Sequence, residues 1–299
     1  MTFRIGIDLG GTKTEIVALD AEGAVRLRRR ARTAADYEGI LALLAGLVEQ
    51  AEADLGAAGA TVGIGIPGSL SPATGLVRNA NTQCLNGRPL DRDLAARLGR
   101  PVRVSNDANC LALSEAADGA GAGHPVVFAV ILGTGVGGGL VVDGRLIEGL
   151  NRVGGEWGHN PLPWATAEEH PGPRCWCGQH GCLETLLCGP ALAADWKGPG
   201  ERDASGIAEA AAAGDTAALR ALDRHAGRLA RALAAVTNLI DPDAIVLGGG
   251  LSNLEYLYAE VPRRMAPHVF GDVAQVRLLR ARHGDSSGVF GAARLWDRG

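Results

Sequence analysis

Twice the chain runs a strand into a glycine–threonine turn and out again into another strand, and this pattern constrains its fold more than any other feature. The first copy is FRIGID at 3–8, then LGGTKT, then EIVALD at 15–20. The second is VVFAVILG at 126–133, running into GTGVGGG and then LVVDGRL at 140–146. Strand–glycine–strand hairpins are common, so one copy would say little. Two copies in outline, each followed by alternating helix-like and strand-like segments, point to two related α/β domains facing each other.

Between these copies the periodicities fill in the layers. AVRLRRR at 24–30 reads as a third strand, with the basic run 26–32 as a charged sheet edge. Residues 36–55 have helical spacing, with Ile40, Leu41, Leu43, Leu44, Leu47 and Val48 on one apolar face. TVGIGIP is a strand stopped by Pro67 and Gly68. DRDLAARL is a helix, PVRVSND a strand with a polar end, and ANCLALSEAA a helix. A second unit starts near Gly119, where GAGAGH reads as a joint. The unbroken apolar run 126–133 fits a strand buried on both faces, and Asp143-Gly144 fits a hairpin turn. Residues 155–189 break the pattern. They are rich in Pro, Trp, Gly and Cys and lack periodicity, as a functional loop does. A helix over 216–239, a strand from 243 into glycines, a helix over 254–267, a strand over 274–281 and a closing helix from 287 complete the chain.

A chain of 299 residues, 46% of them hydrophobic, supports two medium cores. Its formal charge of −4, with no basic stripe, excludes the usual footprint of a nucleic-acid or anionic-membrane partner. No apolar run is long enough to span a bilayer, and the N-terminus enters a strand directly instead of a secretory signal. A cytoplasmic protein is expected, where stable disulfides are disfavoured.

Four groups of residues carry chemistry. Cys175, Cys177 and Cys182 sit in CWCGQHGC, with His159 upstream; thiolates and imidazole suit zinc. A disulfide and incidental core thiols are the alternatives. Zinc with four protein ligands would be structural, because no position stays open for water. Asn106-Asp107 closes a strand, where Asp107 is a general base or the cap of the following helix. The turns Gly10-Gly11-Thr12, Gly133-Thr134-Gly135 and Gly248-Gly249-Gly250 can offer N–H and O–H donors to phosphate, although none matches a P-loop or dinucleotide fingerprint. Asp8 could hold Mg²⁺ through water beside them. Glu156 and Glu184 flank the cysteine knot as ligands for vicinal hydroxyls or as plain surface charges, and Trp157, Trp164 and Trp176 frame a pocket or fill its underside.

Together DLGGTKTE, VGIGIPGS, NDANCLALSEA, ILGTGVGGG, GEWGHNPLP, CWCGQHGCLET and VLGGGLSN resemble the ROK family of bacterial sugar kinases, and the resemblance runs essentially end to end. GEWGHNPLPW and HGDSSGVFGAA look most like its fructokinase (manno-fructokinase) branch, while ILGTGVGGG and CGQHGC also resemble N-acetylglucosamine kinases. The resemblance implies an α/β, two-domain, actin-like (ribonuclease H-like) ATPase fold with a zinc-bound loop. It places an N-terminal domain at 1–118 plus about 286–299, and a C-terminal domain with the zinc loop at 119–285.

By the same resemblance Asp107 is the catalytic base. Gly68, Asn81, Asn106, Asp107, Glu156, His159 and Glu184 contact the sugar, and His159, Cys175, Cys177 and Cys182 bind zinc. Asp8, Gly10, Gly11, Thr12, Lys13 and Thr14 form one phosphate element, Gly133, Thr134 and Gly135 the other, with Gly248 and Gly249 on the adenosine side. The implied activity is ATP- and Mg²⁺-dependent phosphorylation of a hexose, with structural Zn²⁺, in a homodimer. D-fructose giving D-fructose 6-phosphate is expected; N-acetylglucosamine, glucose and mannose are the alternatives. Repressors of the family carry an N-terminal helix-turn-helix, and this chain starts at the first strand, so a non-catalytic sugar-binding regulator is disfavoured.

Overall fold

A computed structural model describes residues 3–284 and 287–297. The first half orders as β1 (Arg4–Leu9), β2 (Lys13–Leu19), β3 (Val25–Arg32), α1 (Tyr37–Leu55), β4 (Thr61–Ile66), β5 (Ser69–Leu70), β6 (Val77–Arg78), α2 (Leu90–Leu98), β7 (Val102–Asn106) and α3 (Asp107–Ala117). The second continues with β8 (Val126–Leu132), β9 (Val136–Val142), β10 (Arg145–Leu146), α4 (Glu184–Leu187), α5 (Gly189–Lys197), α6 (Ile207–Ala212) and α7 (Thr216–Ile240). It ends with β11 (Ala244–Gly248), α8 (Glu255–Met265), β12 (Leu278–Arg280) and α9 (Ser287–Ala293).

The two large sheets match strand for strand. One has the order β3-β2-β1-β4-β7 and the other β10-β9-β8-β11-β12. In each, an antiparallel meander of three strands is extended by two parallel strands. The repeat read in the sequence is therefore a repeat of topology, and the chain has the expected two-domain α/β fold. Strand β3 lies on the sheet edge, where Arg28 and Arg30 both donate to the buried Glu15. The strand expected over 274–281 is shorter, because β12 is an edge strand that pairs with β11 only from Leu278 to Arg280.

Each sheet is covered on both faces, and the inner covers are exchanged. Helix α3 leaves the first sheet but packs on the second, where Leu111 and Ala112 join Val127, Ala129, Val141 and Val246. Helix α9 leaves the second sheet but packs on the first, where Val289 and Ala293 join Val17 and Leu19. The two helices also pack against each other. Gly291 permits this approach, since a Cβ there would collide with the Cys110 carbonyl. The outer faces bury Ile40, Leu44 and Val48 of α1 on one side, and Leu222, Leu229 and Leu233 of α7 on the other. The unbroken apolar run of β8 follows from burial between α3 and the α7 layer.

Among the described residues no helix is long and apolar enough to cross a membrane. The domain limits expected at residues 1, 285, 286 and 299 lie outside the described residues, as do Asp285 and Ser286 of HGDSSGVFGAA.

Candidate active site

In the first sheet Asp8 pairs with Gly65, and Gly65 with Ser105, so the carboxyl ends of β1, β4 and β7 finish along one edge. Ligands gather at such an edge in α/β sheets. A cleft of about 590 Å³ opens there, walled by Pro67, Gly68 and Asn106 from the first unit and by Thr134, Gly135 and Glu156 from the second. Gly68, Asn81, Asn106, Asp107, Glu156, His159 and Glu184, the residues expected to contact a sugar, all line it.

The two readings of Asp107 separate in the structure. Asn106 takes the cap position of α3, its side-chain oxygen accepting from the Ala108 N–H at 2.8 Å. Asp107 is the first helical residue; its Oδ1 accepts from the same N–H at 2.8 Å, and its carboxyl group faces the cleft. Burial pushes its pKa up to about 7, helped by the negative charges of Asp8 and Glu156 and opposed by the Ala108 N–H. Asp8 is raised to about 6, first by burial and then by Glu15, while Lys13 opposes the rise. A carboxyl near neutrality in a cleft is suited to taking up a proton.

The first glycine turn is closed by the Gly10 N–H donating to the Lys13 carbonyl at 3.1 Å. Thr14 is fully buried, and its hydroxyl lies 2.9 Å from that of Thr33, which donates to the Gly10 carbonyl at 2.8 Å. Thr14 therefore braces the turn from inside. Gly11 lies near Thr82, on the loop that carries Asn81. A second cavity, of about 570 Å³, adjoins the cleft at Thr134 and is lined by Gly133, Gly189, Ser205 and Gly250. Gly248 and Gly249 are set back from it, packed on the Leu111 side chain and the Leu132 carbonyl.

The cysteine knot forms at the other wall. Ligand atoms of His159, Cys175, Cys177 and Cys182 all lie within 4.8 Å of one another. The Cys177 and Cys182 sulfurs are 3.6 Å apart, and Cys175 Sγ is 3.5 Å from His159 Nδ1. A disulfide needs about 2.05 Å. Zn–S bonds of about 2.3 Å in a tetrahedron put sulfurs about 3.8 Å apart, so this donor set fits zinc. Backbone hydrogen bonds fold the loop on itself: Cys175 N–H to Gln179 O at 2.8 Å and Leu183 N–H to Asn160 O at 2.9 Å.

The knot is wired to the second glycine turn through Glu184. Its Oε1 accepts the Trp176 indole N–H at 2.8 Å, and its Oε2 accepts the Val136 N–H at 3.0 Å. Gly135 lies close beside this carboxylate: a Cβ there would sit 2.6 Å from Oε2 and would require the Glu184 side chain to shift. The three tryptophans divide. Trp157 is core, edge-on to Phe128 with its indole donating to the Gly137 carbonyl. Trp164 lies against His268, and only Trp176 lines the cleft. The sequence reading missed Asn79, which also lines the cleft with a left-handed backbone (φ 57°). Asparagine tolerates that conformation, and its place beside Asn81 in RNAN was the only trace.

A model of the ROK family matches residues 4–298. The chain is 42% identical to an N-acetyl-D-glucosamine kinase of Photobacterium profundum, over 97% of this chain and 98% of that one. It superposes on a ROK hexokinase from Thermus thermophilus with a TM-score of 0.86 at 33% identity, covering 98% and 97% of the two chains. A ROK glucokinase from Streptomyces griseus, solved with glucose and AMPPNP, gives 0.78 at 30% identity, covering 98% of each.

These findings correct the expected fructokinase branch and with it the expected substrate, D-fructose: relatives between 39% and 42% identical are N-acetyl-D-glucosamine kinases. The two motifs behind that expectation are GEWGHNPLPW, which supplies Glu156 and His159 to the cleft, and HGDSSGVFGAA, which runs into α9 on the first sheet. Carboxylate and imidazole groups bond hydroxyls that all these hexoses carry, and α9 is a packing helix, so neither motif tells one sugar ring from another. With the family model spanning nearly its whole length, the chain belongs to the ROK family.

Proposed function

We propose that this chain is an ATP-dependent kinase that phosphorylates N-acetyl-D-glucosamine on its primary hydroxyl, the group that reaches furthest from the ring. One observation carries the reading: Asp107, with a pKa near neutrality, faces a cleft that Glu156, His159 and Glu184 line together with Thr134 and Gly135 of the second glycine turn. The names of the relatives at about 40% identity support the choice of sugar.

In this mechanism Asp107 accepts the hydroxyl proton as the sugar oxygen attacks the γ-phosphorus. Asn81, Asn106, Glu156, His159 and Glu184 hold the ring hydroxyls, which fixes the attack geometry. The N–H groups of the two glycine turns, from Gly10 to Thr12 and from Gly133 to Gly135, meet the phosphate charge. The nucleoside end of ATP occupies the adjoining cavity beside Gly189 and Gly250. Asp8 would hold Mg²⁺ through water, and the ion would supply charge neutralisation to the phosphates. His159, Cys175, Cys177 and Cys182 would hold zinc, which would supply shape and no chemistry. A homodimer is part of the proposal and is read by sedimentation velocity.

The test is a coupled ADP-release assay over N-acetylglucosamine, glucose, mannose and fructose. N-acetylglucosamine is expected to give the highest kcat/KM. A chain that prefers glucose would favour the glucokinase-like alternative, and one that releases no ADP with any sugar would overturn the kinase reading.

A further inference from the structure

Trp176 is 64% exposed, although an indole is among the largest apolar side chains. It does not swing freely. Its backbone sits between Cys175 and Cys177, where the Gly178 N–H donates to the Cys175 carbonyl at 3.0 Å. Its N–H is spent on Glu184 at 2.8 Å, and its ring meets the His159 ring edge to face, with centroids 4.9 Å apart at 89°. A rigid, uncovered aromatic surface therefore lines the same cleft as Asp107.

Sugar chemistry says what such a surface can receive. In a pyranose the ring atom opposite C5, which bears the primary hydroxyl, is C2. A sugar with its 6-hydroxyl at Asp107 directs its C2 substituent away from Asp107, towards the wall built by the cysteine knot. A hydroxyl at C2 offers an indole little. An acetamido group offers a methyl and a planar amide, both of which pack well on an aromatic plane.

Resting on the reading of the chain as a sugar kinase, we propose that Trp176 is a specificity-determining residue. Its indole face receives the C2 acetamido group, and its N–H holds Glu184 in place for the ring hydroxyls. The residue thus links the metal-candidate loop to the choice of sugar.

The experiment compares wild type, Trp176→Phe and Trp176→Ala with N-acetylglucosamine and with glucose, by steady-state kinetics and by calorimetric binding of each sugar. Trp176→Ala is expected to lower the N-acetylglucosamine-to-glucose ratio of kcat/KM at least about 10-fold, through KM. Trp176→Phe keeps an apolar ring but loses the bond to Glu184, so it should weaken both sugars and retain most of the ratio. Zinc content and melting temperature report whether the knot survives the substitutions. Equal weakening of both sugars in Trp176→Ala with the knot intact would overturn the specificity role while leaving the kinase reading standing. A wild type that neither binds nor turns over N-acetylglucosamine better than glucose would overturn both the choice of sugar and the role of Trp176.

Discussion

Glu115 in α3 accepts the hydroxyl of Ser287, the first residue of α9, at 2.9 Å. The same buried carboxylate accepts the backbone N–H groups of Ala120, Arg282 and His283 at 2.8, 2.9 and 3.2 Å. Ala120 lies on the crossing from α3 to β8, and the other three lie on the return crossing from β12 to α9. One side chain thus clamps both connections between the two sheets. Glu115→Ala would strand several buried donors and is expected to destabilise by about 3 kcal/mol or more. The measurement is a urea midpoint at unchanged slope; a midpoint equal to wild type would contradict the clamp.

Asp107→Asn keeps the volume and removes the proton acceptor. Turnover should fall at least about 10²-fold, the usual scale of positioned acid–base catalysis. Sugar binding by calorimetry should fall far less. A folded variant with near-normal turnover would remove Asp107 from the base role.

The pH profile follows from the same carboxylate. Asp107 accepts a proton only when ionised, and burial together with the Asp8 charge raises its pKa to about 7. So kcat/KM should rise with pH through about 7 and level above it. Asp8→Asn removes one of the negative charges that hold the value up. The acid limb of the profile should then move to lower pH, whatever happens to the maximum rate. A limb that stays in place would show that Asp107 does not govern it.

Zinc removal tests the coupling of the knot to the cleft. His159 and Glu184 line the cleft, and Trp176 ties Glu184 to the loop between the cysteines. Chelation is expected to raise the sugar KM at least about 10-fold while moving the ATP KM much less. Equal changes in both, or none, would separate the knot from sugar recognition.

His225 is a buried liability in the α7 layer. Neither ring nitrogen has a partner among the described residues, and burial, with the nearby Arg228 charge, pushes its pKa down from 6.5 to about 4. Below about pH 6.5 the unfolded chain binds a proton that the folded chain refuses until about pH 4. The stability present above pH 6.5 is therefore lost as pH falls towards 4, by about 3 kcal/mol. His225→Leu should raise the urea midpoint at pH 5 and flatten its dependence on pH over that window.

Most of the local structure was legible because it depends on short-range periodicity. The β-runs around the two glycine turns, the apolar face of α1, the long α7 and the hairpin at Asp143-Gly144 all appear where the residues indicate. The cysteine knot was legible for a similar reason: three of its four ligand residues lie within eight positions, and thiolate chemistry restricts what they can do together.

What the sequence alone determined, then, was the repeated strand–turn–strand unit, the metal-type donor set and a carboxylate at a strand end. Tertiary structure alone decided the rest. The exchange of α3 and α9 between the sheets depends on packing between residues about 180 positions apart, which no local period encodes. The raised pKa of Asp107 needs burial and the charge of Asp8, a residue two strands away in the sheet. The bonds from Trp176 through Glu184 to Val136 join a loop to a turn about 40 residues earlier. Such relationships arise only when distant segments share a cleft, which no local stretch of sequence encodes.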